Sequence, residues 1–170
     1  MKITLTKRQV IQALQTEPLM SGSYIHNDDV DDNGNVLNQH FKSKTGCAVC
    51  AVGSLLDFSI GTKNNSEELC SIGSSITSSA VFGDSEVYTD DDTGKSLYEY
   101  SVREVIALAR KEAANGRYLS ALSSLFEELS NRDGMTTNNG LAGYRLVNIL
   151  VNFVKAEFPA KLVINTKKRY

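Results

Sequence analysis

Proline is nearly missing from this chain: Pro18 and Pro159 are the only two in 170 residues, so no proline-rich linker divides it. Internal repeats and low-complexity tracts are absent as well. A single globular domain over residues 1–170 is the expectation, long enough to bury a core without disulfides or metals to staple it. Cysteine is scarce and odd in number, Cys47, Cys50 and Cys70, which argues against a secreted disulfide framework and for reduced thiols. No apolar run reaches the roughly 18 to 20 residues that a membrane-spanning helix requires. Met1–Thr16 carries charges where a secretory leader would need an apolar stretch. These absences predict a cytoplasmic protein with no membrane partner. A basic excess is missing too: 18 Lys and Arg stand against 20 Asp and Glu, a net charge of −2, which gives no general electrostatic reason to bind nucleic acid. The one basic cluster, Lys167–Tyr170, reads as a solubilising tail. With no Gly-rich phosphate loop and no Ser–His–Asp signature, no cofactor is expected.

What is there is a succession of helical patterns. Thr6 with Gln9 three residues on forms a capping box, and Val10, Ile11 and Leu14 share a face, predicting a helix to about Thr16 that Pro18 stops. Residues 22–41 place Tyr24, Ile25, Val36, Leu37 and Phe41 around an Asn/Asp/Gly cluster, the pattern of a short hairpin with an acidic tip. The stretch "TGCAVCAVGSLLDF", Thr45–Phe58, has no charge before Asp57. It is apolar all round from Cys47 to Leu56, the mark of a central helix with no solvent face. A short helix over Ser66–Ile72 and a second acidic hairpin over Glu86–Tyr100 are expected next. Ser101 and Glu104 make another capping box, and an αα-hairpin turning at Asn115–Gly116 joins its helix to the Leu119–Leu129 repeat. A last helix spans about Asn139–Phe158, packed on most sides by residues that include Leu141, Tyr144 and Leu146. "KLVIN" after Pro159 reads as a final strand. The sum is a mainly α (α+β) fold, a compact helical domain of about five or six helices with one or two small β-hairpins.

Several constellations could carry chemistry. Asp29, Asp31 and Asn33, followed by Gly34, match the opening of an EF-hand calcium loop. The twelfth position holds His40 where a bidentate Glu belongs, which leaves an acidic hairpin tip as the plainer reading. Cys47, Cys50, His26 and His40 could supply four zinc ligands, but their spacing matches no finger, and two cysteines three apart on an apolar helix are more simply two small buried residues. Cys47 at a helix start could be a thiol nucleophile with His26 or His40 as base. No histidine follows it in the chain, so the order would be His before Cys. Tyr24 and His26 offer an aromatic face and a neutral-pH donor and acceptor for stacking on a base or peptide. In the last helix Arg145, Asn148, Asn152 and Lys155 recur every three or four residues as one polar stripe. Such a stripe faces water, or else holds an anionic ligand between two cations and two amides.

The segments "GSYIH", "CAVCAVGSLL", "YLSALSSLFE" and "FVKAEFP", taken in order, resemble a loose group of small bacterial and phage proteins with no assigned activity. That group is built around a Cys-Ala-x-Gly-Ala-like helix preceded by a tyrosine/histidine segment. "CAVG", Cys50–Gly53, is the specific part. Ser54 stands where the group has alanine, and the acidic insert between His26 and Cys47 is longer than in its shorter members. The resemblance implies a phage or prophage setting in the host cytoplasm. There, small acidic proteins act by binding a host protein or by sequestering a nucleotide-like defence signal. A non-catalytic binding protein is therefore the leading expectation, with a homo-oligomer left open. A small cysteine-dependent enzyme using Cys47 is the alternative.

Overall fold

In a computed structural model of the chain, the described residues are 2–16, 18–20, 25–26, 48–60, 100–138 and 140–165. Among them are five α-helices: α1 Lys7–Thr16, α2 Ala51–Ile60, α3 Val102–Ala114, α4 Tyr118–Ser130 and α5 Tyr144–Glu157. Strands β1 Lys2–Thr6 and β4 Lys161–Asn165 pair antiparallel, and β2 Ile25–His26 pairs antiparallel with β3 Ala48–Val49. The architecture is mainly α with small antiparallel sheets, as the hydrophobic periodicities predict. No helix among the described residues is long and apolar enough to cross a membrane.

Local chemistry starts α1 and α3 where the sequence says it should. Thr6 N–H donates to Gln9 Oε1 at 2.8 Å and Gln9 N–H donates back to Thr6 Oγ1 at 3.2 Å, so two of the donors left over at the start of α1 are satisfied reciprocally. Ser101 and Glu104 do the same for α3, at 2.7 and 3.2 Å. The turn from α3 into α4 is made at Gly116, whose φ of 79° lies in the left-handed region that costs other residues energy. At the far end of α5, Lys7 Nζ donates to the Lys155 carbonyl at 3.1 Å, placing a cation on an unpaired carbonyl at the negative end of the helix dipole.

The core gathers around α2. Every residue from Ala51 to Asp57 is buried, with α1 and α4 packed against the helix. α5 lies on α1, α3 and α4 and contributes Leu146, Leu150, Phe153 and Val154. Phe158 closes its end, stacked edge-on against Phe153 and tilted against Tyr118. The β1–β4 sheet alternates strictly: Ile3, Leu5, Leu162 and Ile164 point into the core while Lys2, Thr4, Lys161 and Val163 stay outside. A fully buried leucine contributes about 1.5–3 kcal/mol by leaving water, so the leucines of α2, α4 and α5 dominate the stability.

Two helix starts need correction, and two strand pairings were not foreseen. The central helix begins at Ala51, not at Cys47, because Ala48 and Val49 form β3; an unbroken apolar run cannot show where a buried strand ends and a buried helix begins. Ile25 and His26 pair with Val49 and Ala48, a long-range pairing the sequence does not announce; the rest of the expected 22–41 hairpin, Val36 and Leu37 included, lies outside the described residues. The last helix begins at Tyr144 and not near Asn139, since Gly140 has φ 80° and Leu141 bridges Met20 in an extended conformation. Finally, β1 has no counterpart in the sequence reading, which credited "KLVIN" as a strand but found it no partner. The Ser66–Ile72 helix lies outside the described residues, as does the Glu86–Tyr100 hairpin apart from Tyr100, which is buried.

Val52 is wholly buried at the centre of this packing. Val52→Asp places an unpaired charge there and is expected to lower stability by about 3 kcal/mol or more. Urea denaturation with a midpoint equal to the parent's would show the site is not core.

Candidate functional site

The polar stripe is delivered by α5. Gly143 is its N-cap and offers no side chain to the first turn. Tyr144, first in the helix, is 84% exposed, which corrects the expectation that it packs inward. Arg145, Asn152 and Lys155 are exposed and Asn148 is half-buried, so all four face water along one side of a helix whose other sides are packed. No carboxylate pairs with Arg145 or Lys155 among the described residues, where the ion pairs are Arg110–Glu157 at 3.1 Å and Arg117–Glu112 at 2.9 Å. Lys7, held at the Lys155 carbonyl, adds a third cation at the C-terminal end of the row.

Two surface pockets have a definite lining. One of about 380 Å³ lies between β1 and the end of α2, at Lys2–Leu5, Gln9 and Phe58–Ile60. The other, about 200 Å³, lies beside β4 at Gly116, Tyr118, Leu119, Pro159 and Lys161–Val163. The stripe of Arg145, Asn148, Asn152 and Lys155 lines neither of these two pockets of the described residues.

Cys50 sits at the other candidate position, the start of α2. Its carbonyl accepts from Ser54 N–H at 2.9 Å and its Sγ accepts from Gly53 N–H at 3.3 Å. With 5% of its surface exposed, the thiol serves as the N-cap of a buried helix, a task usually given to Ser, Thr, Asp or Asn. Ser54 removes its own hydroxyl from the apolar surroundings by donating to the Ala51 carbonyl at 2.7 Å. The described residues contain no group of three or more His, Cys, Asp or Glu placed to hold a metal. Cys47, His40, Tyr24, Asp29, Asp31 and Asn33 lie outside the described residues, and of His26 only the backbone pairing in β2 is described. The thiol-enzyme, zinc, calcium and Tyr24–His26 arrangements therefore have no described geometry.

Two acidic groups were missed by the sequence reading. Asp57 is buried at 9% exposure on α2, and its Oδ1 has no hydrogen-bond partner. The available signal was its position: the first charge after an apolar run, on the same helix face as Cys50 seven residues earlier. Glu128 on α4 is the second. Burial pushes its carboxyl above the ordinary value of 4.5, and Arg132 one turn on pulls it partly back. No family model matches the chain, and no curated protein and no solved structure is similar to it.

Both groups give measurable expectations. Asp57→Asn replaces a buried carboxylate whose Oδ1 has no hydrogen-bond partner with a neutral amide and should raise stability by about 1 kcal/mol; a loss instead would reveal a partner for the carboxylate. For Glu128 the folded state favours the neutral acid, so its ionisation opposes folding above the folded pKa, and this cost fades as pH falls toward 4.5. Glu128→Gln should therefore stabilise the chain at pH 7 and lose that advantage below about pH 4.5. Chemical denaturation at both pH values reads the difference.

Proposed function

We propose that this chain is a non-catalytic binding protein that acts on a host factor in a phage or prophage setting, and that the solvent face of α5 is its contact surface. One observation carries the reading: Tyr144, Arg145, Asn152 and Lys155 stand exposed in a row on a helix buried along its remaining sides. Rigidity and exposure together are what a recognition face needs, since side chains on a packed helix lose little further freedom on binding. Tyr and Arg are also the residue types enriched at protein interfaces.

The cations Arg145, Lys155 and Lys7 fit an acidic partner, with Arg145 able to grip a carboxylate through two parallel hydrogen bonds. An exposed row that lines neither of the two described pockets suits a protein surface better than a nucleotide, because small ligands are bound in concavities that bury most of their surface. The host factor is accordingly an acidic protein, and sequestration of a nucleotide-like signal is the weaker version of the reading.

The test compares the parent chain with the Arg145→Ala, Lys155→Ala double variant, each immobilised in bacterial lysate. A specific partner is retained by the parent, lost by the double variant and released as salt rises through the range that screens surface charge. With that partner purified, Arg145→Ala alone should cost about 1.5–3 kcal/mol of binding free energy. If no protein distinguishes parent from variant, the α5 face is only solvated surface. A nucleotide released by heating the parent, and missing from the double variant, would return the reading to a sequestered small molecule.

A further inference from the structure

A polar face runs down the most buried helix of the molecule. Cys50, Ser54 and Asp57 follow one another at helical spacing, so they share one side of α2. Ser54 is wholly buried and Asp57 is 9% exposed. A helical side chain leans over the turn before its own Cα, which carries the Asp57 carboxylate toward Ser54, one turn earlier. The Ser54 hydroxyl could have donated to that carboxylate, yet its proton goes to the Ala51 carbonyl at 2.7 Å. Ser59, the other hydroxyl of the helix, likewise donates to the Leu55 carbonyl. Asp57 Oδ1 is left buried with no hydrogen-bond partner.

The place of Asp57 in the helix adds to the excess of negative charge. It lies in the last turn of α2, where the final carbonyls have no partner within the helix and the helix dipole is negative. That turn holds no basic residue. The ion pairs among the described residues, Arg110–Glu157 and Arg117–Glu112, do not involve α2. Buried charges in proteins are paired with an opposite charge or coordinate a metal ion. No Lys or Arg of the described residues pairs with Asp57, which leaves the second arrangement.

We infer that Asp57 anchors an alkali-metal cation, Na⁺ or K⁺, at the C-terminal end of α2. Hard cations take oxygen ligands, and the Asp57 carboxylate is the charged one. Ser54 Oγ is a second, because its proton is committed to Ala51 and it has lone pairs left to offer. Charge and donor number select the ion. A divalent cation held by protein groups takes several carboxylates, and the described residues contain no group of three or more His, Cys, Asp or Glu placed to hold one. One carboxylate balances one positive charge. A guanidinium or ammonium side chain from another protein is too bulky to reach the buried Oδ1. The stability gain expected of Asp57→Asn is then a property of solutions that lack the cation.

Urea denaturation of the full chain in NaCl, KCl and choline chloride at one ionic strength tests this, because choline screens charge as the alkali ions do but is too large for the site. A ligand that binds only the folded state multiplies the folding constant by one plus its concentration over its Kd. The parent should therefore be more stable in at least one alkali salt than in choline chloride, by about tenfold in the folding constant once the ion stands about tenfold above its Kd. In Asp57→Asn the difference between the salts should vanish, and in choline chloride this variant should be more stable than the parent. If Asp57→Asn fails to fold, Asp57→Ser removes the same carboxylate and should show the same loss of cation dependence. A parent equally stable in alkali and choline salts, or an Asp57 variant that keeps the full alkali effect, would each overturn the assignment.

Discussion

A helix that no side of which can face water sets the terms for the rest of this molecule. From Ala51 to Asp57 every residue of α2 is buried, so the helix needs apolar neighbours in all directions. α1 and α4 meet it directly, and α5 closes over both. Its polar groups are handled locally: Cys50 caps the first turn through sulfur and backbone, and Ser54 bonds back to the Ala51 carbonyl. Asp57 is the exception, a carboxylate whose Oδ1 finds nothing. Buried polar atoms without partners are uncommon in folded proteins because each forfeits its hydration, and a group that keeps one carries a cost the fold must offset.

Once α2 fills the centre, polar residues are displaced to the outer elements. α5 can be apolar over most of its circumference because α1, α3 and α4 cover it, and what remains for water is the narrow row from Tyr144 to Lys155. The β1–β4 sheet serves a similar purpose near the two ends of the described chain: its inner leucines and isoleucines complete the core while its outer residues face solvent. The exposed row on α5 and the outer residues of the sheet are thus consequences of packing.

The parts legible in the sequence are those governed by neighbours along the chain. Capping boxes at Thr6 and Ser101, the turn at Gly116 and the helical spacing of Leu119, Leu122, Leu125, Phe126 and Leu129 all depend on contacts within a few residues, and all are present as read. The polar stripe was legible for the same reason, since a period of 3.6 residues puts Arg145, Asn148, Asn152 and Lys155 on one face whatever surrounds them. That the stripe is exposed, and without an ion pair among the described residues, was not legible, because those facts depend on what packs beside α5.

Pairing between distant segments is where the chain alone was silent. "KITLT" is a good strand only beside "KLVIN", and nothing within either segment names the other. Val49 belongs to a strand because Ile25 lies opposite it, although its neighbours Cys50 and Ala51 read equally well as helix. Composition and periodicity determined that this chain forms a mainly helical fold with a largely apolar helix at its centre, since burying apolar surface at helical spacing has few other solutions. Strand partners, the start of α2 and α5, the exposure of Tyr144 and the burial of Asp57 were decided only in the tertiary structure, because hydrogen-bond ladders and solvent exclusion are set by segments far apart in the sequence.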